Sequence, residues 1–246
     1  MFMAETRRME KLTGKRILVV GATGGIGSHT AKLLASGGAK LFLSGRKADR
    51  LSELAGQLGL SHDRLFVTDI TREAEVQDMA GKILESAGGI DILVNASGIG
   101  IIKPVEQLSV EEFTLTLQSN LVGSYILARA FLPMMKEAKK GLIVNIPGVL
   151  GKVPMAGAAA YSASKYGLVG MMQSIREEVK RTEIRITNLF LGGVDSPFWD
   201  TIDLRVQRER MIRSEEAAKA VWFLCQQPES AVVSEMVLQP FNHQAI

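Results

Sequence analysis

The chain is poor in the residues that build disulfide frameworks and metal centres. Its 246 residues include one cysteine, Cys225, and three histidines, at positions 29, 62 and 243. A single cysteine excludes an internal disulfide and fits a reducing compartment, so we expect a cytoplasmic protein. The histidines are scattered without the spacing of metal ligands, so we expect no metal site.

Long apolar runs and charge of one sign are also scarce. No run reaches the ~18 residues that suggest a membrane-spanning helix, and we expect no membrane segment. The formal net charge is only +3. It is spread along the chain without a lysine and arginine block that would indicate a nucleic-acid partner. Residues 1–13 are charged and lack the apolar core of a signal peptide, so we interpret them as a flexible tail.

The sequence does contain a regular alternation of short apolar runs and longer amphipathic ones. The apolar runs predict seven strands, at 16–20, 40–44, 65–68, 90–95, 141–146, 185–190 and 232–238. Helical patterns separate them, the longest over 109–136, where Ser109 and Glu112 form a capping box. This alternation is typical of a parallel sheet covered on both faces. We therefore expect an α/β fold, with residues 14–246 forming a single doubly wound Rossmann-type domain.

A glycine-rich turn follows the first predicted strand and opens a helix. It reads Gly21-Ala22-Thr23-Gly24-Gly25-Ile26-Gly27. Glycine permits a tight turn, lets the backbone approach a pyrophosphate, and presents amides and the helix dipole to its charge. The turn therefore predicts a dinucleotide cofactor, and the alternative is a strand-to-helix turn that holds no ligand.

The end of the second predicted strand distinguishes between cofactors. An acidic residue there would bond a ribose 2′-hydroxyl, whereas arginine suits a 2′-phosphate. The sequence reads Ser44-Gly45-Arg46-Lys47, with no acidic residue before Asp49. This favours NADP(H) over NAD(H), with Arg46 at the phosphate, and the alternative makes Arg46 a solvated surface charge.

Tyr161 and Lys165 form the second informative motif. They lie four residues apart, so on a helix their side chains share one face. The ammonium should favour the phenolate and lower the pKa of Tyr161 from its usual ~10, which would make the pair an acid–base device near neutral pH. Together with the glycine turn, the pair indicates a nicotinamide-dependent oxidoreductase.

With these motifs, the chain resembles the short-chain dehydrogenase/reductase family from about residue 15 to 240. It is similar to the 3-oxoacyl-carrier-protein reductase-like members of that family. Further matches are Asn120 in the long central helix, Asp69 after the third strand, and Asn95-Ala96-Ser97-Gly98 after the fourth. The resemblance implies a sheet with strand order 3-2-1-4-5-6-7 and a homotetramer or homodimer. It also implies hydride transfer between a nicotinamide and a small carbonyl or alcohol substrate.

The resemblance also implies a role for each matching residue. Tyr161 would carry the proton, and Lys165 would hold the nicotinamide ribose and depress the Tyr161 pKa. Asn120 would anchor a water that links Lys165 to solvent, and Asp69 would bond the adenine. The other cofactor contacts implied are Gly21, Thr23, Gly24, Gly25, Ile26, Gly27, Arg46, Ile70, Asn95, Ala96, Gly98, Gly192 and Val194.

Two departures from the family pattern stand out. The family has a carbonyl-polarising serine thirteen residues before the tyrosine, and here that position is Gly148. Losing one such donor typically costs ~10²–10³ in rate. Ser97 or a bound water is an alternative donor. The second departure is Leu191-Gly192-Gly193, where the family usually has Pro-Gly.

The loop after the sixth predicted strand, at 196–212, should determine substrate specificity. Its apolar residues predict a lid, formed by Phe198, Trp199, Ile202, Leu204, Met211 and Ile212. Its arginines either meet an acidic substrate or an acyl-carrier phosphate, or they face solvent; they are Arg205, Arg208, Arg210 and Arg213.

Three functions remain open from the sequence. The first is an NADP(H)-dependent carbonyl reductase or alcohol dehydrogenase. The second is a nucleotide-binding sensor or scaffold that has lost catalysis, for which Gly148 is the argument. The third uses the same cofactor and Tyr161 for dehydration or epimerisation.

Overall fold

Short runs of valine, isoleucine and leucine form the strands of one parallel sheet. In the computed structural model, which describes residues 11–242, these strands are β1 (Arg16–Val20), β2 (Lys40–Gly45), β3 (Leu65–Val67), β4 (Ile92–Asn95), β5 (Lys140–Asn145), β6 (Glu183–Leu191) and β9 (Glu235–Leu238). The side chains of the central strands are buried on both faces. This burial explains why they read as continuous apolar runs rather than alternating ones.

The strand order is β3-β2-β1-β4-β5-β6-β9. The predicted order is therefore confirmed, since β9 is the seventh strand of this sheet. Two further strands of two residues each, β7 (Val194–Asp195) and β8 (Ile212–Arg213), pair with each other outside it. The chain changes direction across the sheet between β1 and β4, and ligands bind at such a switch point, beyond the carboxyl ends of the strands.

Within residues 11–242, seven α-helices lie on the two faces of the sheet. They are α1 (Gly25–Ser36), α2 (Ala48–Leu58), α3 (Glu73–Ala87), α4 (Val110–Leu117), α5 (Gly123–Glu137), α6 (Ala159–Val179) and α7 (Ser214–Cys225). One core packs between the sheet and α3, α5 and α6. A second packs between the opposite face and α1, α2 and α7. No helix among residues 11–242 is long and apolar enough to cross a membrane.

The long helix predicted over 109–136 is interrupted near its middle. Its capping box is confirmed, with Ser109 Oγ accepting from the N–H of Glu112 at 3.1 Å. A π-helical turn over Gln118–Val122 separates α4 from α5. Such a turn is often found at functional sites. Here it contains Asn120, which is 1% exposed.

The start of the domain lies earlier than predicted. Residues 1–10 of the predicted tail lie outside the described part of the chain. Leu12, which was assigned to that tail, is 2% exposed and belongs to the core on the α1 side. The N–H of Gly14 also donates to the carbonyl of Gly38 at 2.9 Å. The boundary predicted at residue 14 is therefore too late, and packing has begun by Leu12.

Replacing Leu12 by alanine tests this boundary. Removing a buried leucine side chain leaves a cavity, so Leu12→Ala should lower the free energy of unfolding by about 2–4 kcal/mol, measured by urea denaturation. Lys11→Ala removes an exposed neighbour and is the matched control, expected within about 0.5 kcal/mol of the wild type. If the two variants were equally stable, Leu12 would not belong to the core.

Candidate functional site

The glycine-rich turn after β1 lies against the backbone of the loop after β4. Gly21 has a φ of +74°, and a Cβ atom on it would lie 2.8 Å from the carbonyl carbon of Ala96. A Cβ on Gly27 would lie only 2.1 Å from the carbonyl oxygen of Gly21. Both positions therefore require glycine, because no side chain fits between these backbones.

A cavity of about 830 Å³ opens at this edge of the sheet and brings together most of the predicted site residues. Of the predicted residues, those that line it are Gly24, Gly25, Ile26, Gly27, Ala96, Ser97, Gly98, Gly148, Tyr161, Lys165, Gly192 and Val194. The backbone of Gly192 is fixed there by a 2.8 Å hydrogen bond from its N–H to the carbonyl of Leu238.

Asn120 connects the π-helical turn to two other parts of the site. Its Oδ1 accepts from the N–H of Ile99 at 2.8 Å, and its Nδ2 donates to the carbonyl of Ile99 at 2.9 Å. Nδ2 also donates to Ser164 Oγ at 3.0 Å, and that hydroxyl donates to the carbonyl of Tyr161 at 2.7 Å. The amide therefore holds the loop after β4 against α6. Sequence reasoning missed Ser164, although it stands next to Lys165 in the motif.

Tyr161 and Lys165 share one face of α6, as predicted. Lys165 Nζ lies 5.3 Å from the centroid of the Tyr161 ring and donates to the carbonyl of Ile146 at 3.3 Å. Gly98 leaves room for the ammonium, since a Cβ there would lie 3.4 Å from Lys165 Nζ. The ammonium thus lies over the face of the phenol ring.

The predicted direction of the Tyr161 pKa shift is wrong for this structure. Burial raises the pKa of the Tyr161 phenol above its ordinary value. Burial also lowers the pKa of Lys165, to about 8. Removing water disfavours both charged forms, and the ammonium contacts the ring face and a carbonyl. Desolvation therefore outweighs the charge attraction on which the prediction rested.

The residues predicted for the adenine end lie beside the turn, at the ends of β2 and β3, outside the cavity lining. Burial disfavours the Asp69 carboxylate, but two hydrogen bonds from Thr71 and the charges of Arg46 and Arg72 outweigh it and lower the Asp69 pKa. Arg46 is exposed.

Thr23 and Ile70 pack against glycines at the same end of the sheet. A Cβ on Gly45 would lie 3.2 Å from Thr23 Oγ1, so Thr23 lies beside the end of β2. A Cβ on Gly123 would lie 2.8 Å from the side chain of Ile70. Glycine at 123 therefore allows α5 to approach the segment after β3.

Ser97 is not the free hydroxyl that the sequence suggested. Its Oγ donates to Asn95 Oδ1 at 2.5 Å, and its N–H reaches the same oxygen at 3.2 Å. Asn95 Nδ2 in turn donates to Ser124 Oγ at 2.9 Å. Because its one proton is used in this network, Ser97 cannot at the same time donate to a substrate carbonyl.

The backbone at Gly148 has a conformation that favours glycine over serine. Its φ and ψ are +73° and 168°, a combination that is essentially restricted to glycine. A Cβ would have space, since the nearest contact would be the Leu191 carbonyl oxygen at 3.5 Å. The obstacle is therefore backbone strain rather than crowding.

Only some of the residues predicted for the lid, in the loop after β6, line the cavity. Phe198, Trp199, Leu204 and Met211 line it, whereas Ile202 and Ile212 are buried beneath the loop. The Phe198 ring lies 5.6 Å from the Tyr161 ring, centroid to centroid. A second apolar wall was missed, although its residues directly follow Gly148 in the sequence; they are Val149, Leu150, Val153, Pro154 and Met155.

Comparisons with known proteins agree with this geometry. A family model described as short chain dehydrogenase matches residues 15–206. An uncharacterized oxidoreductase of Staphylococcus epidermidis is 30% identical over 232 residues, which cover 94% of this chain and 100% of the relative.

Two solved structures are similar over nearly the whole chain. An alcohol dehydrogenase from the archaeon Thermococcus sibiricus, complexed with 5-hydroxy-NADP, has a TM-score of 0.84 at 28% identity, covering 94% of this chain and 99% of the other. A metagenomic short-chain oxidoreductase in complex with NADP has a TM-score of 0.82 at 29% identity, covering 95% and 100%. The chain therefore belongs to the short-chain dehydrogenase/reductase family.

Proposed function

We propose that this protein is an NADP(H)-dependent oxidoreductase that transfers hydride between the nicotinamide and a carbonyl or alcohol group, with Tyr161 as the acid–base. The observation that carries the proposal is that Tyr161, Lys165 and the glycine-rich turn line one cavity. A dinucleotide held by the turn and a proton donor on α6 would then act on the same substrate.

The residues present fit such a cofactor. Gly24, Gly25 and Gly27 leave the backbone of the turn bare where it lines the cavity, which suits a pyrophosphate at a helix N-terminus. Arg46 would bind the 2′-phosphate and Asp69 the adenine, and Lys165 would hold the nicotinamide ribose. When bound, the nicotinamide supplies or accepts the hydride. The NADP-type ligands of the two solved neighbours support the choice of NADP(H).

The position of the pair supports proton transfer in the cavity. The Tyr161 phenol lines the cavity and would donate its proton to a carbonyl oxygen. The nearby ammonium of Lys165 would stabilise the phenolate that remains. Asn120 holds α6 in place for both residues, and its predicted water stays part of this proposal.

The alternative functions have less support. Gly148 was the argument for an inactive sensor, yet Tyr161, Lys165 and Asn120 stay together beside the cavity. The relatives are described as an oxidoreductase and an alcohol dehydrogenase, which supports redox chemistry over dehydration or epimerisation.

We also propose that the protein is cytoplasmic and forms a homodimer or homotetramer. Exposed apolar side chains on α4 and α5 support an interface there; they are Leu115 and Tyr125. Phe223 on α7 and Val237 on the edge strand β9 are also exposed and support a second one.

The first test of the mechanism concerns the proton donor. Tyr161→Phe removes only the hydroxyl, so kcat should fall by about 10²–10⁴, with little change in NADPH affinity. Tyr166→Phe changes an exposed tyrosine of the same helix and should behave as wild type. Lys165→Ala should impair both kcat and NADPH binding. Near wild-type turnover in Tyr161→Phe would exclude Tyr161 as the acid–base.

The second test concerns the cofactor. Arg46→Asp should weaken NADPH binding by about 10–100-fold, the range for losing one charge-assisted hydrogen bond, and should shift the preference toward NADH. Titration of both cofactors, followed by fluorescence, measures the effect. Arg50→Asp makes the same charge change at another exposed position of this segment and should leave the preference unchanged. Equal affinities of the wild type for NADPH and NADH would contradict the assignment.

The third test concerns the hydroxyl missing at Gly148. Gly148→Ala and Gly148→Ser share the strained backbone, so both should lose about 1–3 kcal/mol of stability, seen as a lower Tm. Their difference isolates the hydroxyl. If carbonyl polarisation limits the rate, kcat on a simple ketone should be about tenfold higher for the serine than for the alanine variant, about 1.4 kcal/mol. Equal rates would mean that this donor is not limiting.

A further inference from the structure

The charged side chains that line the cavity are all cations. Among the described residues, they are Lys165, beside Tyr161, and Arg210, on the loop after β6. No aspartate or glutamate within 11–242 lines it. A cavity that carries positive charge without a compensating carboxylate favours an anionic ligand.

Arg210 differs from the other arginines of its loop. Arg208 forms ion pairs with Asp195 and Asp200 at 2.8 and 2.9 Å and also donates to the carbonyl of Ser196. Arg213 is paired with Glu216 at 2.7 Å. Arg205 is exposed and lies outside the cavity lining.

The guanidinium of Arg210 has no hydrogen-bond or ion-pair partner among residues 11–242. The side chain is exposed where it lines the cavity. Its planar donors are therefore available, and their geometry matches a carboxylate bidentately.

The backbone that carries Arg210 is held in place. Arg210 ends a short helical turn, Arg208–Arg210, whose first residue is fixed by the two aspartates. β8 follows directly and pairs with β7. A cation on a fixed backbone loses less conformational entropy on binding than one on a mobile loop.

Apolar side chains line the rest of the substrate end. The Phe198 ring lies against the Tyr161 ring at an interplanar angle of 56°. Leu204, Met211, Val153 and Met155 complete the walls. A suitable ligand therefore has an apolar body, with its reactive group near Tyr161 and its charge at Arg210.

We propose that the substrate is an oxo acid with an apolar or aromatic body, whose carboxylate is bound by Arg210. The inference rests on the proposed function, since the carbonyl that is reduced is the one protonated by Tyr161. The carboxylate takes no part in the bond changes. Arg210 thus determines specificity and is not a catalytic residue.

Matched acids and esters test the proposal. The probes are 4-acetylbenzoate and 3-benzoylpropanoate, each with its methyl ester, assayed with NADPH. Wild type should prefer the acids. Arg210→Gln should lower kcat/KM for the acids by about tenfold or more, chiefly through KM, and leave the esters within about twofold. Arg205→Gln, outside the cavity, is the matched control and should change neither.

Binding measurements show whether a loss of activity in Arg210→Gln comes from weaker binding of the acid or of NADPH. Calorimetry of the two acids should show affinity that Arg210→Gln loses, and that weakens with ionic strength because Arg210 is exposed. The Kd of NADPH should be the same in both proteins. Equal losses for acids and esters, or a loss confined to NADPH affinity, would overturn the proposal.

The same measurements distinguish this proposal from the proposed function. If no probe were reduced by the wild type, the reductase assignment would fail. Acid binding that depends on Arg210 would still support the anchor, and no such binding would overturn it as well. If esters were reduced and acids were not preferred, the reductase assignment would stand and the oxo-acid proposal would fail.

Discussion

The position of the site depends on one buried side-chain amide, that of Asn120. Its three hydrogen bonds hold Ile99 in the loop after β4 and Ser164 on α6, which are separate in the sequence. Both polar atoms of the amide therefore have partners, in a buried place where an unpaired polar group would cost about 1–3 kcal/mol of stability. Tyr161 and Lys165 stand on the same helix as Ser164, so this amide ties their helix to the loop after β4, on which the glycine-rich turn packs. Asn120 lies in the π-helical turn, where the backbone hydrogen bonds are shifted in register.

The fold could be predicted almost entirely from the sequence, because it depends on patterns that a single chain displays. Strands buried on both faces read as continuous apolar runs, and the helices between them read as amphipathic ones. The features that the sequence did not reveal leave no periodic pattern of apolar residues. The π-helical turn shifts hydrogen bonds without changing the apolar spacing, and the strands β7 and β8 are only two residues long. The burial of Leu12 depends on a tertiary contact with the start of the segment after α1, where a Cβ on Gly37 would lie 3.4 Å away.

The site also has features that could be predicted from the sequence and features that could not. The glycine positions could be predicted because the constraint is steric and local, as the 2.1 Å contact at Gly27 illustrates. The spacing of Tyr161 and Lys165 correctly placed them on one face. It could not give the direction of the Tyr161 pKa shift, because that depends on how far other segments exclude water. The sequence also offered Ser97 as a free hydroxyl, because it does not reveal that Ser97 Oγ donates to Asn95 Oδ1.

Gly148 and Tyr161 both bear on how charge on the substrate oxygen would be stabilised. The glycine-only backbone at 148 means that a serine cannot be introduced there without strain. In the proposed reaction, charge developing on the substrate oxygen would then be stabilised mainly by the Tyr161 proton. A single donor is worth more where water is excluded, and Phe198 together with the wall after Gly148 provides that exclusion. In these apolar surroundings, a hydrogen bond from the Tyr161 hydroxyl to a charged substrate oxygen would be stronger than in water. The apolar cover and the missing serine are therefore compatible features of the proposed reductase site, in which proton donation and charge stabilisation would be concentrated on the same hydroxyl.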